Sequence, residues 1–315
     1  MIKEKNRPLT VFIANPRGFC AGVERAIAIV EKSLEKYGAP IYIKHEIVHN
    51  KYVVDDLRAK GAIFVEDVAE IPDDALTIYS AHGVSQAVED ASQNKNLKIF
   101  DATCPLVKKV HNQVVKLDDE AKEIILIGHE GHPEVEGTSG RSASKVRLVQ
   151  NLEDVATLEV KDPDNLGYVS QTTLSVDDTK DIIAALRARF PNISGPNSDD
   201  ICYATQNRQD AVKQIVEEVD LLLTIGATNS SNSNRLRDIG HMYDKPSYLI
   251  SSYQDIDLAW FSNVAKVGVT AGASAPEILV EEVLDFLRDN FKISLVEKSG
   301  KKENIMFNLP RELRS

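Results

Sequence analysis

Cys20, Cys104 and Cys202 are the only cysteines in the 315 residues, and more than eighty residues separate each from the next. Three soft thiolates fit a cubane cluster with one open iron, or a zinc site completed by a fourth ligand or water. Spacings this long match no zinc-ribbon pattern, and an odd number argues against a disulfide framework. Each cysteine stands directly before a stretch of helical period. Val23, Ile27, Val30 and Leu34 follow the first; Val107, Val110, Val114 and Leu117 the second; Ala211, Ile215 and Val219 the third. A helix start favours the thiolate needed for metal ligation, and Pro105 suits the first helical position.

A second group of residues sits in short polar loops. It comprises His49, His82, His132 with Glu134, Thr172 with Thr173, the run Ser230, Ser231 and Asn232, and Ser274. Rich in imidazole, hydroxyl and amide groups and poor in Lys or Arg, this set suits a diphosphate cradle of neutral donors. Loops use Ser, Asn and Gly anyway; histidines closing successive strands are the more specific signal. A carboxyl in a closed polar pocket has a raised pKa and donates protons, which is the role expected of Glu134, with Thr172 as its relay. His45, His111 and His241 read as structural or surface residues.

The elements that must position these groups alternate β and α along the whole chain, with strands expected at VFIA (11–14), IILIG (124–128) and LLLTIG (221–226). That alternation predicts the α/β class, with parallel sheets covered by helices. One order of events occurs three times: a cysteine and its helix, a strand ending in a polar loop, and a second strand and polar loop. The first loops are HEIVHN, HEGHPEVEG and GATNSSNSN; the second are SAHGVS, SQTTLS and TAGASAP. Ligand groups gather at the carboxyl ends of strands in open α/β sheets. Three small domains in a pseudo-threefold arrangement would therefore aim three cysteines and their loops at one central site. The expected segments are 10–104, 105–198 and 199–286, joined at DATCP and SGPNSDD, with a tail at 287–315. The third segment lacks a clear apolar strand before its cysteine. The tail offers a short strand, ISLVE, and then a polar stretch docked on another domain.

Composition bounds the partners. With 43% hydrophobic and 27% charged residues the chain is an ordinary soluble protein, and its net charge of −11 argues against nucleic acid, which needs a basic face. No apolar run has the length of a membrane helix and the start is charged, so the expected location is the cytoplasm. There is no GxGxxG or Walker motif, so electrons for any redox reaction must come from a partner protein.

The motifs NPRGFCAGV, HEIVHN, SAHGVS, FDATCPLV, GHPEVEGT, QTTLSVDDT, DDICYAT, NSSNSNRL and TAGASAP resemble the 4-hydroxy-3-methylbut-2-enyl diphosphate reductase family over residues 10–314. The resemblance implies reductive dehydration of that allylic diphosphate to isopentenyl and dimethylallyl diphosphates, the last step of the non-mevalonate isoprenoid route. It also implies a [4Fe-4S] cluster on Cys20, Cys104 and Cys202, with a ferredoxin or flavodoxin as electron donor. By motif, His49, His82, His132, Ser230, Ser231, Asn232 and Ser274 are similar to the diphosphate contacts. Glu134 is similar to the proton donor, with Thr172 near the substrate hydroxyl. Two other readings stay open: a zinc phosphohydrolase using His129, His132, Glu134 and a cysteine, and a cluster-based redox sensor that binds its ligand without turnover.

Overall fold

Every strand pairing among the described residues is parallel. Parallel neighbours cannot be joined by a hairpin, so each connection needs a crossover, usually a helix. A computed structural model of the chain describes residues 7–196 and 200–314. The joint expected at 198/199 lies outside the described residues.

Along the chain the strands are β1 (Pro8–Ile13), β2 (Ile41–Lys44), β3 (Ala62–Val65), β4 (Leu76–Tyr79), β5 (Lys98–Asp101) and β6 (Glu123–Ile127). They continue with β7 (Arg147–Val149), β8 (Leu166–Ser170), β9 (Leu221–Ile225), β10 (Ser247–Ile250), β11 (Lys266–Ala271) and β12 (Lys292–Glu297). The helices are α1 (Ala21–Tyr37), α2 (Lys51–Ala59), α3 (Gln86–Asn94), α4 (Pro105–Asp119) and α5 (Pro133–Ser139). Then come α6 (Leu152–Thr157), α7 (Val176–Arg189), α8 (Tyr203–Val216), α9 (Ser231–Met242) and α10 (Glu277–Asn290).

The chain divides into two compact units. One gathers residues up to Ala21, His49–Val53 and Tyr203–Met306 around a five-stranded sheet in the order β10-β9-β11-β1-β12. Its strands β9 and β11 are buried almost throughout, as expected of parallel strands covered on both faces. On one side Leu9, Val11, Leu223 and Val269 pack with Val280 and Val283 of α10; on the other Phe12 and Leu222 pack with Val212 and Ile215 of α8. The other unit, Gly22–Val48, Val54–Cys202 and Phe307–Ser315, holds a sheet in the order β3-β2-β4-β5 and another in the order β7-β6-β8. In it, α4 buries Val107, Val110, Val114 and Leu117, the face read from its period, with Val110, Val114 and Leu117 packed on Ile124 and Leu126 of β6.

The α/β class and the three parallel sheets expected from the sequence are present, but the strands are shared out differently from the segments. Two of the cysteines directly follow a strand of a parallel sheet. β5, leading to Cys104, lies beside β4, and β1, leading to Cys20, lies beside β11 of the last segment. Before Cys202, among the described residues, the edge position holds only a bridge, Ser194 beside Gly167 of β8, consistent with the lack of a clear apolar strand there. The opening strand, expected with the segment 10–104, thus belongs to the sheet of β9–β11, because a parallel strand must lie where its register and both faces can be satisfied, whatever its place in the chain. The tail strand is β12, paired along β1 from Pro8↔Lys292 to Ile13↔Glu297.

Candidate active site

In the second unit the loops after β4, β6 and β8 carry His82, His132 with Glu134, and Thr172. The loop after β6 turns into α5 with His132 as its N-cap, and the His132 Nδ1 accepts the backbone N–H of Glu134 at 3.1 Å. That bond leaves the proton of a neutral ring on Nε2. Pro133 stands at the first helical position, where its missing N–H costs nothing. Glu134 follows it, 2% exposed, with both oxygens engaged by Thr172: the backbone N–H donates to Oε1 at 2.6 Å and the hydroxyl to Oε2 at 3.0 Å. Burial outweighs these bonds and pushes the carboxyl up to about 7, with the nearby Asp200 charge adding to the rise. Asp200 is itself buried; it accepts the Ser170 N–H at 3.1 Å and lies 3.4 Å from the Lys109 ammonium.

His82 and His132 meet edge to face, ring centroids 5.7 Å apart. Two glycines allow this approach. Gly83, after His82, has φ +79°, and a Cβ there would fall 2.6 Å from Cε1 of the buried His111. A Cβ on Gly137 of α5 would meet the Gly83 carbonyl at 3.2 Å. His111 is thus the floor under the His82 turn, and burial pushes its imidazole down to about 4, so it stays neutral. In this unit the amide of Cys104 donates to Ala81 O at 3.0 Å, and that of Cys202 to Thr172 O at 3.0 Å.

The first unit holds Cys20, His49, Ser230, Ser231, Asn232 and Ser274. The amide of Cys20 donates to Ala273 O at 3.2 Å, the same kind of bond to the loop after the neighbouring strand as the other two cysteines make. Ser274 Oγ donates to the His49 carbonyl at 2.9 Å, and Asn229 Nδ2 lies 3.2 Å from His49 Nδ1. Ser230 caps α9, accepting the Ser233 N–H at 3.3 Å and the Ser233 hydroxyl at 3.0 Å. Ser231 opens the helix, partly exposed. Asn232 is 4% exposed, and neither its amide oxygen nor its amide nitrogen has a hydrogen-bond partner among the described residues. A buried amide left so costs free energy unless something outside the chain bonds to it, as an anionic ligand would.

Residues 11–288 match the model of the LytB protein family. The chain belongs to this family. Among the relatives of LytB type, a protein named 4-hydroxy-3-methylbut-2-enyl diphosphate reductase from Pseudomonas putida strain W619 is 57% identical over 310 residues, covering 97% of this chain and 98% of that protein. One of the same name from Neisseria meningitidis serogroup C is 58% identical over 306 residues, covering 97% and 95%. The solved structure of the Plasmodium falciparum E-1-hydroxy-2-methyl-but-2-enyl-4-diphosphate reductase superposes with a TM-score of 0.92 at 38% identity, covering 98% of this chain and 97% of that one. The fold class, the oxidoreductase class and the reductase family expected from the motifs are those of these LytB relatives.

For a LytB protein the donor chemistry is consistent with a polynuclear cluster. None of the three cysteines is in a disulfide, all are partly exposed, and all stand at the start of a helix: Cys20 before α1, Cys104 as the N-cap of α4, Cys202 before α8. Among the described residues no group of three or more His, Cys, Asp or Glu could hold a single metal ion. A cubane needs each thiolate near a different iron, so that geometry does not count against it. The zinc reading fares worse, since it needs such a single-ion group from His129, His132, Glu134 and a cysteine.

Arg208, Asn229, Asp200 and the floor role of His111 escaped the sequence reading. Arg208 alone had a visible signal, a charge on the apolar face of α8 one turn before Val212. The others depend on contacts between distant segments.

Proposed function

We propose that this chain converts 4-hydroxy-3-methylbut-2-enyl diphosphate, two electrons and two protons into water and either isopentenyl or dimethylallyl diphosphate. The allylic C–O bond breaks, a C–H bond forms, and the hydroxyl leaves as water. The observation that carries the reading is Glu134, a buried carboxyl that still holds its proton near neutral pH, fixed by two bonds from Thr172. Such a group supplies the proton that lets a hydroxyl depart, and the Thr172 hydroxyl can pass it on.

The names of the LytB relatives and the motif resemblance support the substrate. His49, His82, His132, Ser230, Ser231, Asn232 and Ser274 would hold its diphosphate with neutral donors, so that binding energy orients the allyl group for protonation. Cys20, Cys104 and Cys202 would hold a [4Fe-4S] cluster, which when bound supplies the electrons and a Lewis-acidic iron. The segment 10–104 would deliver two of these thiolates, Cys20 and Cys104, and the segment 199–286 the third, Cys202, while the segment 105–198 would bring His132, Glu134 and Thr172 and the tail 287–315 would brace them. Among the described residues no helix is long and apolar enough to cross a membrane. We place the enzyme in the cytoplasm, reduced by a ferredoxin or flavodoxin, with no nucleic acid as partner.

The test is anaerobic purification followed by iron and sulfide analysis and turnover with a reduced dye. A brown protein absorbing near ~400 nm, with substrate-dependent dye oxidation, is expected. Glu134→Gln should keep that absorption and lose turnover by about a hundred-fold or more. A colourless protein with stoichiometric zinc, or a brown one that never oxidises the dye, would refute the reading.

A further inference from the structure

Arg208 is among the largest side chains buried to less than 2% exposure, and it lies in α8 between Ala204 and Val212. A guanidinium without partners in such a place is prohibitively costly, so its contacts identify what it is for. Its Nε donates to Gly18 O at 3.0 Å, and its Nη2 donates to Gly18 O at 2.7 Å and Phe19 O at 3.1 Å. Nη1 donates to Ala204 O at 3.0 Å and to Glu303 Oε1 at 3.1 Å. Glu303, beyond β12 in the C-terminal segment, also accepts Asn207 Nδ2 at 2.9 Å and is 15% exposed.

Gly18 and Phe19 are the two residues before Cys20. Their turn is held from the other side as well, because the Gly18 N–H donates to Ala271 O at 3.1 Å and the Cys20 N–H to Ala273 O at 3.2 Å. The end of β11 therefore fixes the N–H groups of the turn, and Arg208 fixes its carbonyls. Arg208 can do so only while a carboxylate balances its charge, and the one facing it comes from a segment that would otherwise look like a polar tail.

We propose that Arg208 and Glu303 are positioning residues for Cys20: the pair clamps the Gly18–Cys20 turn, so that the C-terminal segment sets where this thiolate stands. The proposal rests on the reading of Cys20 as a cluster ligand. Loss of Glu303 would leave the guanidinium as an uncompensated buried charge, free to abandon the two carbonyls for water. The turn would then open locally while both cores stay intact.

The test is the alkylation rate of each cysteine in the metal-free, full-length chain, measured by maleimide labelling and peptide mass spectrometry. Cys104 and Cys202 serve as internal controls. Glu303→Ala and Arg208→Lys should each speed Cys20 alkylation about ten-fold, the effect of losing one charge-assisted hydrogen bond, while the controls stay near wild type. Glu303→Gln, which keeps the shape and the Asn207 bond, should give a smaller rise at Cys20 alone. If Glu303→Ala fails to fold by circular dichroism, Glu303→Gln decides. An unchanged Cys20 rate, or an equal rise at all three cysteines, overturns the clamp. Failure of the wild-type chain to assemble iron and sulfide would instead defeat the ligand reading, and the alkylation pattern distinguishes the two because it requires no cluster.

Discussion

Thr172 binds Glu134 through both of its donors, the backbone N–H at 2.6 Å and the hydroxyl at 3.0 Å, while its own carbonyl receives the Cys202 amide at 3.0 Å. One residue therefore joins the proton-bearing carboxyl to the turn of a cysteine. The bonds from Thr172 favour the ionised carboxylate, but complete burial beside the Asp200 charge favours the neutral acid by more.

That balance makes stability depend on pH. Below the ordinary carboxyl value of 4.5, Glu134 is protonated in folded and unfolded chains alike; from there to about 7 only the folded chain keeps the proton. The folded state binds more protons in that window, so stability falls as pH rises through it, by up to about 3 kcal/mol, and stays lowered above it. Urea unfolding of Glu134→Gln should lack this loss, so the variant gains on wild type between pH 5 and pH 8. Parallel profiles for the two proteins would show that the carboxyl ionises normally.

Asn232 carries a buried amide without a hydrogen-bond partner among the described residues. Replacing it by Leu, of similar size, removes the desolvation penalty and should stabilise the ligand-free protein by about 1 kcal/mol. The same change should weaken inorganic diphosphate binding about ten-fold or more, because a bond to a charged oxygen is lost. Calorimetric titration together with thermal unfolding checks both halves. A destabilised variant that binds diphosphate as tightly as wild type would remove Asn232 from the anion site.

The Gly83 turn rests on His111 at a backbone angle that side chains rarely adopt. Gly83→Ala should cost about 1–2 kcal/mol for the left-handed conformation and about 1–3 kcal/mol more for overpacking against the imidazole. In a His111→Ala background the second part should vanish and the first remain. A double-mutant cycle by thermal unfolding reads the coupling directly. Strict additivity would mean that His111 does not support the turn.

Much of this protein was legible without coordinates because the signals are local. The apolar face of α4 follows from the spacing of Val107, Val110, Val114 and Leu117, and the cysteines announce themselves by standing before helices. The strands ending at the polar loops follow from short β-branched runs bounded by polar turns, and a parallel α/β fold follows from their alternation with helices. What tertiary structure alone decided is non-local. Nothing in PLTVFI says that it pairs with β11 and β12 rather than with strands of its own segment; register and burial on both faces select that place. Nothing in PEVEG says that Glu134 holds its proton, since a pKa is set by the water excluded and the charges nearby. Glu303 looks like one more solvated acid until the fold brings it against a buried arginine from another part of the chain.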